Sequence, residues 1–158
     1  MSMELKEKDK RCVTLKVEHI RDGKVIDTRY DEYDLITNVG KALAAGLLGA
    51  VSAPAAVTYL AIGIGTNAPA VTDTILQSEI TTGNGARAAS TTSLITTAVT
   101  NDTMQITHQW TFTAPFAVTE AGSFNASSSG VLYTHDVFTA VNVVSGDQLT
   151  VTIQIQMS

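Results

Sequence analysis

The side chains best suited to acid–base or metal chemistry are three histidines, His19, His108 and His135. None of them stands in the His-x-His or i, i+4 spacing that brings two imidazoles to one metal ion. A metal site would therefore need the three to converge in space, or around a symmetry axis, and no metal ligand is assigned. His108 falls on the apolar face of an alternating run beside Ile106 and Trp110, so it is expected to be a packed, hydrogen-bonded core residue.

The pair His135-Asp136, in a chain rich in serine, raises the question of a hydrolase triad. Consecutive residues of a strand point to opposite faces, so these two side chains should not touch. No serine sits in a Gly-x-Ser-x-Gly elbow. Gly63-Ile64-Gly65 follows an apolar strand, as the dinucleotide fingerprint does, but the third glycine is missing and Pro69 stands where the phosphate-binding helix should begin. It reads as a glycine-rich turn from strand to loop. Arg87 is the only basic residue after Lys41 and, if buried, needs a carboxylate; Glu79, Glu120 and Asp136 are the candidates. Such a pair is structural. No catalytic, cofactor-binding or metal residue is assigned, and neither enzyme activity nor a cofactor is expected.

The elements that carry these residues are mainly strands. Val13, Leu15 and Val17 alternate with Thr14, Lys16 and Glu18, and Asp22-Gly23 supplies the positive φ angles of a tight hairpin before Lys24 to Tyr30 returns. One short apolar helix follows, capped by Thr37 or Asn38, with Val39, Ala42, Leu43, Ala45, Gly46 and Leu47 along one stripe and Gly49 as its stop. Val57 to Ile64 is an apolar strand and 67–72 a loop. Asp73 or Thr74 is placed to cap a single helical turn running to Glu79. Ala86 to Val99 reads as one threonine-rich strand of open register.

Met104, Ile106, His108, Trp110 and Phe112 alternate strictly with polar neighbours, as do Leu149, Val151, Ile153, Ile155 and Met157. Between them lie a short strand from Val118 to Asn125, bent at Ala121-Gly122, and another from Val131 to Ala140. No helix-length crossover separates these runs. The expected fold class is mainly β: an antiparallel sandwich or barrel-like domain over 12–158, with an N-terminal hairpin and one short helix, preceded by a flexible or docking arm at 1–11.

Composition narrows the function classes. Of 158 residues, 44% are hydrophobic and 16% charged, against roughly 25% charged in an average soluble domain. The formal net charge of -5 argues against nucleic acid as the main partner. The charges crowd into the first 41 residues; beyond Lys41 only Arg87 and six scattered acids remain, and Thr, Ser, Gln and Asn take their place. Interface cores are depleted in charge, so this body is read as a surface that meets other subunits; the alternative is a threonine-rich surface of secreted type that is merely exposed. Cys12, the single cysteine, excludes an intrachain disulfide and reads as a small buried hydrophobe. The charged opening has no apolar signal region, and Lys41 and Pro54 break the most apolar stretch, so no membrane insertion is expected.

Several segments together resemble a family. Tyr59-Leu60-Ala61-Ile62-Gly63-Ile64-Gly65-Thr66, then Pro69 and Asp73 to Glu79, are similar to small β-rich structural proteins of tailed bacteriophage virions. Thr119 to Asn125, Ser145 to Ile153 and Asn38-Val39-Gly40-Lys41 carry the same likeness. The resemblance implies a capsid decoration, head-fibre, tail-fibre or tail-associated subunit, made in the host bacterial cytoplasm and kept in the virion. It implies neighbouring phage capsid or tail proteins as partners, with other copies of the chain, a trimer by analogy. The alternative is a host-surface module reading glycans or proteins through loops such as 67–72 and 127–130. Those loops hold no aromatic side chain for sugar stacking.

Overall fold

The computed structural model describes residues 13–32 and 35–157. The expected arm at 1–11 and Cys12 lie outside the described residues. The elements run β1 (Val13–Arg21), β2 (Lys24–Asp31), β3 (Leu35–Ile36), α1 (Asn38–Gly49), β4 (Tyr59–Gly63), β5 (Ala88–Ala89), β6 (Thr91–Ile95), β7 (Thr103–Thr111), β8 (Phe116–Phe124), β9 (Leu132–Val143) and β10 (Gln148–Gln156). Two five-stranded sheets form, in the orders β2-β1-β10-β7-β6 and β3-β9-β8-β4-β5, with every pairing antiparallel. This is the mainly β, sandwich-like architecture that the alternating runs predict; among the described residues the two sheets stay separate and no closed barrel forms.

The first sheet follows its period-two pattern closely. Val13, Leu15 and Val17 of β1 face Ile155, Ile153 and Val151 of β10, and all six are buried. Ile106 and Trp110 of β7 complete the same layer. Trp110 donates its indole N–H to the Ala86 carbonyl at 2.8 Å, so its polar edge is satisfied inside the core. His108 is half-buried rather than enclosed, edge-on to Trp110 at 4.6 Å between ring centroids. The hairpin turns through Asp22 (φ 52°) and Gly23 (φ 74°), the left-handed pair that the Asp-Gly step provides. At the other end the alternation stops at Gln156, and Met157 is exposed.

Thr37 caps α1: its hydroxyl accepts from Gly40 N–H at 2.9 Å and donates to the Leu132 carbonyl at 2.6 Å. Gly40 is needed because a Cβ there would lie 2.6 Å from the Tyr133 carbonyl oxygen. Of the apolar stripe only Leu43 is fully buried, against β9 and the main core; Leu47 and Leu48 face out.

Three expectations need correction. The segment 73–79 forms no helical turn, because the Gln77 and Ser78 N–H groups are taken by the Glu120 carboxylate instead of a helical ladder. Residues 86–99 are not one strand. The chain pairs with β4 as β5, crosses at Ser90, and pairs with β7 as β6, so it belongs to both sheets. The Ser90 hydroxyl fixes this corner by accepting Leu60 N–H at 3.1 Å. β8 is a nine-residue strand starting at Phe116, and its register shifts between Val118 and Glu120 and again at Ser123/Phe124, not at Ala121-Gly122. The first shift turns Glu120 to the outer face while Val118 and Ala121 stay in the main core.

Candidate functional site

Over β4, most of β8 and the first half of β9 the second sheet is buried on both faces. Its inner face joins the main core, and its outer face carries a second cluster of Ala61, Leu76, Phe124 and Leu132. Glu120 and His135 sit within that outer layer, both fully enclosed. Glu120 Oε1 accepts from Gly65 N–H at 3.0 Å and Ser78 N–H at 2.7 Å; Oε2 accepts from Gln77 N–H at 2.9 Å and His135 Nε2 at 2.9 Å. His135 Nδ1 lies 2.8 Å from Asp73 Oδ2.

Both ring nitrogens of His135 thus face carboxylate oxygens, an arrangement in which the doubly protonated imidazolium donates on both sides. Burial opposes that charge most strongly, but the hydrogen bonds to Glu120 and Asp73 and their charges outweigh it and raise the His135 pKa. Burial likewise pushes against the Glu120 carboxylate, and the His135 hydrogen bond with the Ser78, Gln77 and Gly65 amides prevails and lowers its pKa.

This network explains Gly63-Ile64-Gly65. A Cβ at Gly63 would collide with Glu120 Oε1, and one at Gly65 would stand 2.7 Å from it. The two glycines leave room for a carboxylate, not for a phosphate. His135 and Asp136 point apart, as strand geometry requires. His135 has both ring nitrogens committed to carboxylates. The arrangement clamps the 64–79 segment onto the sheet.

Arg87 performs the matching task one strand over. Its guanidinium grips Glu79 with Nε at 3.0 Å and Nη2 at 2.7 Å, donates to the Ser129 and Ala126 carbonyls, and lies 3.5 Å from the Phe124 ring centroid. Of the three acids proposed for it, Glu79 is the partner; Glu120 goes to His135 and Asp136 to the other face. A third cluster closes the β9–β10 turn. Asp147 receives Arg21 through two bonds of 2.7 Å, His19 Nε2 at 2.7 Å and Val144 N–H at 2.9 Å. The Arg21 hydrogen bonds, with those of Val144 and His19, hold the Asp147 carboxyl well below the usual carboxylate range.

Asp136 is the exception to this saturation. It pairs with Ala121, a core residue, and so faces the space between the sheets. Oδ1 accepts Val137 N–H at 2.8 Å, while Oδ2 is buried without a hydrogen-bond partner. Burial first, and then the nearby Asp31 charge, push its pKa up to about 6.

The three histidines do not converge: His19 binds Asp147, His135 binds Asp73 and Glu120, and His108 packs on Trp110. Among the described residues no group of three or more His, Cys, Asp or Glu side chains is placed to hold a metal ion. Sequence reasoning missed Glu120 as the hub and Asp147 as the anchor of His19 and Arg21. The available signals were an acid inside an apolar strand and a histidine that continues the buried Val13, Leu15, Val17 series.

What remains accessible is surface. The outer face of the first sheet is a ladder of uncharged side chains across β10 and β7: Thr152 with Thr107 at 3.0 Å, Thr150 with Gln109 at 3.0 Å, Gln154 with Gln105 at 2.9 Å. Beside α1 lies an apolar groove of about 620 Å³ lined by residues such as Val39, Ala42, Val51, Pro54 and Val131. Leu48 and Val51, 90% and 65% exposed, stand in the same helix-end region. No helix among the described residues is long and apolar enough to cross a membrane. Comparisons with family models, with curated proteins and with solved structures found no match.

Proposed function

We propose that the protein is a non-enzymatic structural subunit of a tailed-phage virion, an exterior decoration, fibre or tail-associated protein that packs with its own copies and docks on a neighbouring virion protein. The observation that carries this reading is the Thr/Gln ladder across β7 and β10, an ordered, uncharged strip of the first sheet's outer face whose side chains already bond one another and which the Lys16–Glu18 ion pair of β1 borders. Uncharged hydrogen-bonding faces can be covered by a second protein without desolvating ions. The saturated polar clusters fit the same reading, because they use the ionisable groups of the body to fix loops. The likeness of the Tyr59 to Glu79, Thr119 to Asn125 and Ser145 to Ile153 segments to phage structural proteins supplies the virion context.

The test is protein mass spectrometry and immunogold electron microscopy of purified particles from the host that makes the chain. Stoichiometric amounts on the particle exterior are expected. A chain confined to the soluble cell fraction and absent from particles overturns the reading. A companion variant lacking residues 2–11 is expected to fold and to lose incorporation, since the arm is assigned to the neighbouring component.

A further inference from the structure

We propose that the seam between β2 and β9 is a pH-sensitive device of the fold: protonated Asp136 keeps it closed, and ionised Asp136 opens it to water. Asp136 is 5% exposed, faces the space between the sheets and leaves Oδ2 without a hydrogen-bond partner. A buried oxygen in that position costs far more as part of a carboxylate than as part of a neutral carboxyl group. The wall across from it is the inner side of β2. Asp31 stands opposite Leu15 and Arg29 opposite Val17, and directly opposed residues share a face, so both follow the buried Leu15 and Val17 inward.

The seam is weakly held. Among the described residues no strand ladder joins β2 to β9. The Arg29 guanidinium pairs with Asp27 and donates to the Thr139 and Ala140 carbonyls at 3.3 and 3.5 Å, both long bonds. Those carbonyls belong to a bulge of β9, where residues 138–140 lie opposite Thr119 alone between the Val118–Val141 and Glu120–Val137 pairs. A cleft of about 310 Å³ separates Leu15, Arg29 and Asp31 from Val137, Phe138 and Thr139. Opening therefore breaks two long bonds and gives Asp136 water. The charges around Asp136 set the direction of the response. Asp31 across the seam opposes its ionisation, and His135, next to it in β9, favours it. Glu120 of β8 is bound to His135, and β1 carries Lys16 and Glu18 paired on its outer face. Lys41 of α1 is exposed, and burial keeps the Tyr133 phenol protonated. Burial and Asp31 together push Asp136 up to about 6 in the closed form. Hydrated in the open form, it returns to its ordinary 3.8, so opening gains as pH rises from that value and levels off above 6.

The device is independent of the virion reading. The experiment measures thiol labelling of Val137→Cys, at the cleft wall, in a Cys12→Ser background. At each pH the rate is divided by that of the exposed Ser93→Cys, which removes the intrinsic pH dependence of the thiol. Val151→Cys, in the core of the first sheet, reports global unfolding. The thiol at 137 is expected to react about a hundredfold faster at pH 8 than in acid, and faster than the thiol at 151 throughout. Adding Asp136→Asn is expected to make the rate at 137 independent of pH. Where that chain does not fold, Asp31→Asn takes its place and is expected to bring the plateau to lower pH. A flat rate at 137 with Asp136 in place overturns the device. So does a rise that Asp136→Asn retains or Asp31→Asn leaves unmoved, and so do equal rates at 137 and 151.

Discussion

The two sheets treat their outer faces in opposite ways. The first leaves Thr107, Thr150, Thr152, Gln105 and Gln154 open to solvent and lets them bond sideways across β7 and β10. The second is covered by residues 64–87, and the cover is fastened by the Glu120–His135–Asp73 network and the Arg87–Glu79 pair. A solvated ladder can lose a member to water at little cost, whereas a buried ion has no such substitute. The same sandwich therefore has one face tolerant of change, suited to contact, and one face where a single carboxylate organises a long loop.

The largest expected effect tests that carboxylate. Glu120→Ala leaves the His135 charge and the Gly65, Gln77 and Ser78 amides without their acceptor, and should destabilise the protein by about 3–5 kcal/mol. Denaturant unfolding measures it; a loss under about 1 kcal/mol would mean water replaces the carboxylate and the cover is not fastened there.

Asp136 gives the next effect, and it depends on pH. Its folded pKa of about 6 stands above the ordinary 3.8, so the protonated form is favoured in the folded state. Stability from this group is complete below about pH 4 and is lost as pH rises through 6, by about 3 kcal/mol in all. Asp136→Asn should remove that dependence: near wild-type stability at pH 4, and greater stability at pH 8. Equal stabilities of the two proteins at pH 8 would show that the wild-type carboxylate has found a partner.

A more local change is expected at His135. Its raised pKa means that the clamp is fully present below pH 6.5 and weakens as pH rises through the folded value. The lowered pKa of Glu120 means that its part is present above pH 4.5 and fails as pH falls through the folded value. Hydrogen exchange in 64–79 should therefore be slowest between these limits and faster at alkaline pH, normalised for intrinsic exchange; pH-independent protection would mean His135 is held neutral. The smallest effect belongs to the open face: Thr152→Val should change stability by less than about 1 kcal/mol, because one cross-strand pair is all it breaks. A larger loss there would erase the contrast between the faces.

Much of the first sheet was legible along the chain. β1, β7 and β10 each bury one face, so period two marks the strands, the inward residues and the Asp22-Gly23 hairpin. The second sheet was less legible for a physical reason: β4 and β8 are buried on both faces, and a strand without a wet side has no alternation to show. The Glu79–Arg87 pair could be anticipated because Arg87 stands alone in a charge-poor body.

By itself, then, the sequence determined the strand-rich class, the hairpin, the capped helix, the charge-poor body after Lys41 and the opposite orientation of His135 and Asp136. All of these follow from local geometry and from counts of residue type. Only the tertiary structure decided that 86–99 serves both sheets, that 73–79 is held open in place of coiling, and that Glu120 joins Gly65, Gln77, Ser78 and His135. Those outcomes depend on contacts between residues 15 to 55 positions apart, and no local periodicity encodes which distant amide a buried carboxylate will meet.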